Sequence, residues 1–234
     1  MLEDRLMRTR LILGDEKLKR LQNACVMVIG CGAVGSYATE ALARAGIGYL
    51  KLVDFDTVAI SNINRQLFAL NSTIGKKKIE VAKDRIFDIS KDIRVDTFDL
   101  FLDSSNAKDI ISNVDFVIDA IDSRQSKIEI YHICQEKQIP FISSMGAALR
   151  TDASKIKIDK LSKTSVCPLA SNMRTLCKKN GIDMNFPVVY STEVAKTGRA
   201  ENRQMGSLST ITGIFGLMLA NYVINKLIND LTAR

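Results

Sequence analysis

One short segment constrains this chain more than any other. Residues 25–30, CVMVIG, are a continuous apolar run, as a parallel strand covered on both faces requires. Gly30-Cys31-Gly32-Ala33-Val34-Gly35 follows at once, a G-x-G-x-x-G turn opening a helical stretch that ends at Gly46. Glycine there permits a tight turn and lets phosphate oxygens approach backbone N–H groups at a helix N-terminus. Asp54 stands 19 residues beyond Gly35, at the end of the next apolar run, YLKLVDFD (49–56), where a carboxylate can accept from ribose hydroxyls. The pattern points to a nucleotide and leaves open which one.

The alternation of strand and helix continues for about 150 residues. An amphipathic helix over 15–23 leads into the first strand. After the second strand come a helix in KKKIEVAKDRIFDI, a strand at 94–101, a short helix in NAKDIIS and a strand at 115–122. A helix in SKIEIYHICQEKQ and a strand at 141–145 complete the series. This predicts an α/β fold, a doubly wound, mostly parallel Rossmann-like sheet with helices on both faces and its ligand beyond the carboxyl ends of the strands. Residues 1–150 read as the nucleotide-binding core. Residues 151–234 read as an extension of the same globular domain, with an antiparallel addition to the sheet. In it, 155–163 is a strand with a cationic face, 164–186 an irregular or helical crossover, and 187–195 another strand. Residues 196–205 are polar and expected to be mobile. A terminal apolar helix closes the chain.

That last helix carries no charge over residues 208–224, 17 positions, near the lower limit for spanning a bilayer. Ser209, Thr210, Thr212, Asn221 and two glycines dilute it, and Lys226 follows. The pattern fits a helix packed on the sheet or on a second subunit better than a membrane anchor, with weak membrane association as the remaining alternative. The N-terminus, MLEDRLMRTR, has no apolar signal region, which makes the cytoplasm the expected compartment. Five cysteines, none in a C-x-x-C pair, argue against a disulfide framework and a zinc knuckle. The net charge of +7, from 33 Lys+Arg against 26 Asp+Glu, suits either a polyanionic partner or plain solubility.

The loop after the second strand narrows the choice of nucleotide. It carries Asp54, Asp56, Ser61, Asn62, Arg65 and Gln66, followed by Lys76-Lys77-Lys78 and, further on, by Asp119-Ala120-Ile121-Asp122-Ser123. Singly, the lysines read as a solvated helix start and Arg65 as a surface residue. Together, after the glycine-rich turn, they suit a triphosphate: Arg and Lys neutralise phosphate oxygens and an Asp holds Mg²⁺ against them. A dinucleotide-dependent dehydrogenase has no need of them.

With these residues in place, the chain resembles the E1-like activating enzymes, a superfamily that includes the sulfur-carrier adenylyltransferases of molybdopterin and thiamin synthesis. The match covers residue 5 to about 150. The resemblance implies that Asp54 binds ribose and that Ser61, Asn62 and Arg65 hold ATP, with Lys78 on the phosphates and Asp122 on Mg²⁺. Gly30, Gly32, Ala33, Gly35, Asp56, Gln66 and Ser123 complete the implied nucleotide site. It also implies that Arg8 reaches a neighbouring subunit's site, hence a homodimer. Ala33 departs from the second consecutive glycine common in the superfamily.

The stretches RLMRTRLILG, KTSVCPLASNMRTLCKK, PVVYSTE and GSLSTITGIFG are similar to the branch that dehydrates a threonylcarbamoyl-modified adenosine in tRNA. That branch implies adenylation of the nucleoside's carboxylate, then ring closure with release of AMP. Arg150, Lys155, Lys157, Arg174, Lys178 and Lys179 are the candidate RNA contacts. Activation of a sulfur carrier's C-terminal Gly-Gly is the rival reaction, with Cys167 or Cys177 as transfer thiol and Lys178 and Lys179 lowering the pKa of Cys177. A sulfur-relay protein stays open as a partner, and a non-catalytic nucleotide-gated RNA-binding scaffold is the third reading. His132, the single histidine, falls mid-helix among apolar residues and reads as structural.

Overall fold

All five residues of β1 (Cys25–Ile29) are buried, because the strand lies between two parallel neighbours with helices above and below. The computed structural model describes residues 4–195 and 205–229; the stretch 196–205, expected to be mobile, lies outside them except at its last position. The strands are β2 (Tyr49–Val53), β3 (Arg94–Phe98), β4 (Phe116–Asp119), β5 (Phe141–Ser144), β6 (Ile156–Lys160) and β7 (Pro187–Ser191). They form one seven-stranded sheet in the order β3-β2-β1-β4-β5-β7-β6. Among the described residues, every strand-to-strand pairing in this sheet is parallel except β6 with β7, which is antiparallel as the sequence predicted.

Side-chain alternation along β1 separates two cores. Val26 and Val28 face one cluster, with α3 (Gly35–Ala45), α4 (Lys78–Ile89) and α8 (Ser209–Asn229). Met27 and Ile29 face the other, with α6 (Arg124–Glu136) and α7 (Pro168–Lys179). The crossover at 164–186 is therefore helical over α7, with Pro168 in its first turn, where a missing N–H costs nothing. Two further helices, α1 (Met7–Leu13) and α2 (Asp15–Asn23), precede β1, and a single turn, α5 (Ala107–Ile110), precedes β4.

Several strands stop short of their apolar runs. β2 ends at Val53, so Asp54 and Asp56 stand in the following loop, where the Asp54 carboxylate takes backbone N–H groups that a longer ladder would need. β6 begins at Ile156, and Lys155 lies in the 3₁₀ turn before it.

Half of the apolar window of α8 is buried against the chain itself, with Phe215, Leu219 and Val223 fully enclosed. Each such side chain contributes about 1.5–3 kcal/mol. Gly216 makes the close approach possible: a Cβ there would sit 2.3 Å from the Val34 carbonyl oxygen. So α8 packs directly behind the glycine-rich turn.

Candidate functional site

The order of strands reverses between β1 and β4, and the crevice outside their carboxyl ends is where an open α/β sheet accepts a ligand. Ile29 is in register with Val53 on one side and Asp119 on the other, so the glycine-rich turn, Asp54 and the loop after β4 emerge level. Gly30 has φ +94°, and a Cβ on it would lie 2.9 Å from the Ala120 carbonyl oxygen. At Gly35 a Cβ would fall 1.7 Å from the Gly30 carbonyl oxygen. These two glycines are demanded by the chain's own contacts. Gly32 is different: its nearest neighbour would be Gln66 Nε2 at 3.8 Å, and both it and Ala33 are only half-buried. The open face of the turn is at these two residues.

Asp54 holds the turn from below. Its Oδ2 accepts from Cys31 N–H at 2.6 Å and its Oδ1 from Asp56 N–H at 2.9 Å, both charge-assisted. Each oxygen keeps a lone pair for a further donor. Lys78, in the first turn of α4, is buried, with only 5% of its surface exposed, and its Nζ bonds Asp56 Oδ2 at 2.6 Å. Lys76 is the solvated lysine of the three, and Lys77 is tied to Asp99 at 3.0 Å. Burying one ammonium beside the turn carries a desolvation cost that a merely solubilising lysine would not incur.

The intervening loop is pinned over the helix that follows the turn. Leu67 N–H donates to Ser36 Oγ in α3, and Asn64 Nδ2 donates to the Ser207 carbonyl just before α8. Within the loop, Asn62 Oδ1 accepts from Ala59 N–H, and Arg65 Nη1 donates to the Ser61 carbonyl at 2.7 Å. Gln66 is buried under Gly32, and Ser61 is exposed.

Beyond β4, Asp122 is exposed, and its carboxylate enters no hydrogen bond or ion pair among the described residues. Ser123 caps α6 by accepting from Ser126 N–H. Arg8 is exposed on α1, without a hydrogen bond or ion pair among the described residues to bring it to these groups.

One cluster is absent from the sequence reading. Lys127 and Asp119 are both fully buried and paired at 2.8 Å, with Ser143 bonded to both and Tyr131 bonded to Ser143. The signal was a lysine at the head of the apolar face formed by Ile130, Tyr131 and Cys134, all fully buried and spaced three, four and seven residues on.

A family model described as the ThiF family matches residues 3–233. The chain belongs to the ThiF family. Among ThiF-family relatives, the tRNA threonylcarbamoyladenosine dehydratase of Bacillus subtilis is 37% identical over 96% of this chain and 94% of its own. The E. coli tRNA N6-threonylcarbamoyladenosine dehydratase, solved in complex with AMP, is 33% identical with a TM-score of 0.90, covering 94% of this chain and 92% of that one. In complex with ATP the same E. coli enzyme gives 32% identity and a TM-score of 0.90, over 96% and 93% of the two chains. The ThiF match runs on through β6, β7 and α8.

Burial bears on two readings of the second half of this ThiF-family chain: it argues against the rival transfer thiol and corrects part of the expected cationic face. All five cysteines are buried, and burial pushes the Cys177 thiol up to about 11, outweighing any effect of the exposed Lys178 and Lys179. A transfer thiol needs the opposite, an accessible and acidified sulfur. Native protein at pH 8 should therefore leave nearly all five thiols unreacted with a disulfide reagent, and denaturation should release all five. Rapid reaction of Cys167 or Cys177 in the folded chain would reopen the thioester route.

The cationic face is also smaller than its charges suggest. Arg150 is 3% exposed, and one of its nitrogens donates to the Ala148 carbonyl, so it does not stand on the surface with the lysines. Arg174 is half-buried and donates to the Thr164 carbonyl at 3.0 Å. Lys155, Lys157, Lys178 and Lys179 are exposed, with Lys157 over the Tyr190 ring. His132 is exposed on α6, a surface residue rather than a core one.

Proposed function

We propose that this chain uses ATP to adenylate the carboxylate of N6-threonylcarbamoyladenosine in tRNA. The activated side chain then closes on itself and releases AMP. The observation that carries the nucleotide half of this reading is Lys78, buried and paired with Asp56 beside an open glycine-rich turn. The names of relatives similar over nearly the full chain support the acceptor.

The chemistry suits these residues. A carboxylate is a poor electrophile because oxide would have to leave; after one of its oxygens attacks the α-phosphate and pyrophosphate departs, the leaving group is AMP. Such a displacement calls for alignment and charge neutralisation rather than a covalent protein group. In our reading Asp54 receives the ribose hydroxyls, and Gly32 and Ala33 present the turn to the phosphates. Ser61, Asn62, Arg65, Gln66 and Ser123 line the nucleotide, and Lys78 reaches the phosphates. Asp122 fits a Mg²⁺ ligand: its carboxylate is open, and Mg²⁺ takes one or two carboxylates with the rest from phosphate and water. The ion, when bound, spreads the charge that develops on the phosphates. Ring closure uses a nucleophile already on the substrate, so neither a thiol nor a sulfur-relay protein enters the step.

We further place Arg8 in a partner subunit's site, which makes the active form a homodimer. Lys155, Lys157, Lys178 and Lys179 contact the RNA backbone, and α8 serves the fold in a cytoplasmic protein. The test is incubation with ATP, Mg²⁺ and tRNA bearing the modification, followed by mass analysis of the nucleosides. Loss of one water from the modified adenosine, with AMP and pyrophosphate formed, is expected. Equal AMP formation with unmodified tRNA, or with none, overturns the acceptor, and full activity of a monomer overturns the role of Arg8.

A further inference from the structure

We infer that Lys127 is a positioning residue that sets the conformation of the Ala120–Ser123 loop and, through it, the direction of the Asp122 carboxylate. The link to catalysis rests on the function proposed above; the effect on the loop does not.

Lys127 Nζ has three protons and three acceptors: Asp119 Oδ2 at 2.8 Å, Ser143 Oγ at 3.2 Å and the Ser144 carbonyl at 2.8 Å. The Ser143 hydroxyl has a single proton, which goes to Asp119 Oδ2 at 2.6 Å, so it accepts from Lys127 and from Tyr131 OH at 2.7 Å. The other oxygen of Asp119, Oδ1, accepts from Ile121 N–H at 3.3 Å, inside the loop itself. Lys127, Asp119, Ser143 and Tyr131 are all fully buried, and each polar atom of the cluster has a partner.

The topology turns this cluster into a clamp. Asp119 is the last residue of β4, Ser123 caps α6, and Lys127 N–H donates to the Ser123 carbonyl in the first turn of that helix. The loop carrying Asp122 thus leaves one element and enters the next at points that the Lys127–Asp119 pair locks together. The same ammonium holds the end of β5, and Ala120 and Ile121 press against Gly30 of the nucleotide turn. An apolar pair of similar volume is often as stable as a buried ion pair. What it lacks is the means to tie two strand ends and a helix start from a single atom, so orientation is what the charged pair adds here.

The decisive variants are Lys127→Met, which leaves Asp119 buried without its counter-ion, and Lys127→Met/Asp119→Asn, which removes both charges. The single variant should lose thermal stability, and the double should recover a cooperative transition. In the folded double variant, without ATP or tRNA, amide hydrogens of residues 120–123 should exchange at least about tenfold faster, while those of β1 stay unchanged. Tyr131→Phe, which removes only the distal hydroxyl, should keep wild-type exchange in the loop. With substrates, the double variant should lose about tenfold or more in kcat for AMP formation, with KM for ATP within about threefold.

Wild-type exchange at 120–123 in the folded double variant overturns the inference. If the double variant does not fold, Asp119→Asn alone serves: it weakens the clamp while keeping an acceptor, and unchanged loop exchange in it is equally fatal. Failure of the wild type to act on modified tRNA sinks the proposed function instead, and leaves the exchange result standing.

Discussion

Replacing Asp122 by asparagine is expected to slow AMP formation about a hundred- to a thousandfold while leaving the fold intact. The size follows from what one preorganised electrostatic partner contributes to a transition state, about 3–4 kcal/mol. Asparagine keeps the shape and removes the charge that a divalent ion needs. Asp122 is exposed and has no hydrogen bond or ion pair among the described residues, so stability should change by no more than about 0.5 kcal/mol. Rates of AMP release with ATP, Mg²⁺ and modified tRNA, measured beside a thermal unfolding curve, separate the two effects. A variant within a fewfold of wild-type rate would remove Asp122 from the chemistry and move the search for the metal ligand elsewhere on this edge.

The second large effect is expected at Gly35. Alanine is the better helix former, and by propensity alone Gly35→Ala at the first residue of α3 would stabilise the chain by about 0.5–1 kcal/mol. Sterics reverse the sign. The new methyl would lie 1.7 Å from the Gly30 carbonyl oxygen, which is backbone and has no rotamer to escape into. The turn must open, at a cost of about 3 kcal/mol or more, and the surface offered to phosphates goes with it. Gly32→Ala is the matching control. Its methyl meets only the flexible end of Gln66, at 3.8 Å, so stability should hold and any fall in ATP affinity reports on the ligand itself. Denaturant midpoints and nucleotide titrations of both variants check this. Equal midpoints for Gly35→Ala and wild type would mean that the turn is looser than its contacts require.

Much of this was legible before any coordinates. The glycine-rich turn declared itself because a buried parallel strand, a tight turn and a helix start each demand a residue type, and all three demands coincide within residues 25–35. Asp54 was found by its spacing from that turn. The antiparallel addition to the sheet was expected from two strand-like runs, 155–163 with its cationic face and the more apolar 187–195, lying outside the strand–helix alternation. The true ends of β2 and β6 were not legible: at β2 the Asp54 carboxylate takes backbone N–H groups away from the ladder, and before β6 a 3₁₀ turn sends the Lys155 N–H to the Asp152 carbonyl.

Other features had no local signature. Two lysines beside Cys177 leave an activated thiol open as part of the rival reaction, and only its burial between α7 and the sheet argues against it. Arg150 counts as a surface charge until the fold shows it 3% exposed, within the loop after β5. Lys127 and Asp119 are eight residues apart on different elements, and nothing in their neighbours announces a pair. The sequence by itself determined the sheet, the nucleotide turn and the acidic and basic residues gathered at its edge, because backbone geometry and periodic burial are encoded locally. Only the tertiary structure decided which of those charges face solvent, which are buried against a partner, and which buried pair clamps the loop of Asp122, because a charge's role depends on its surroundings in space.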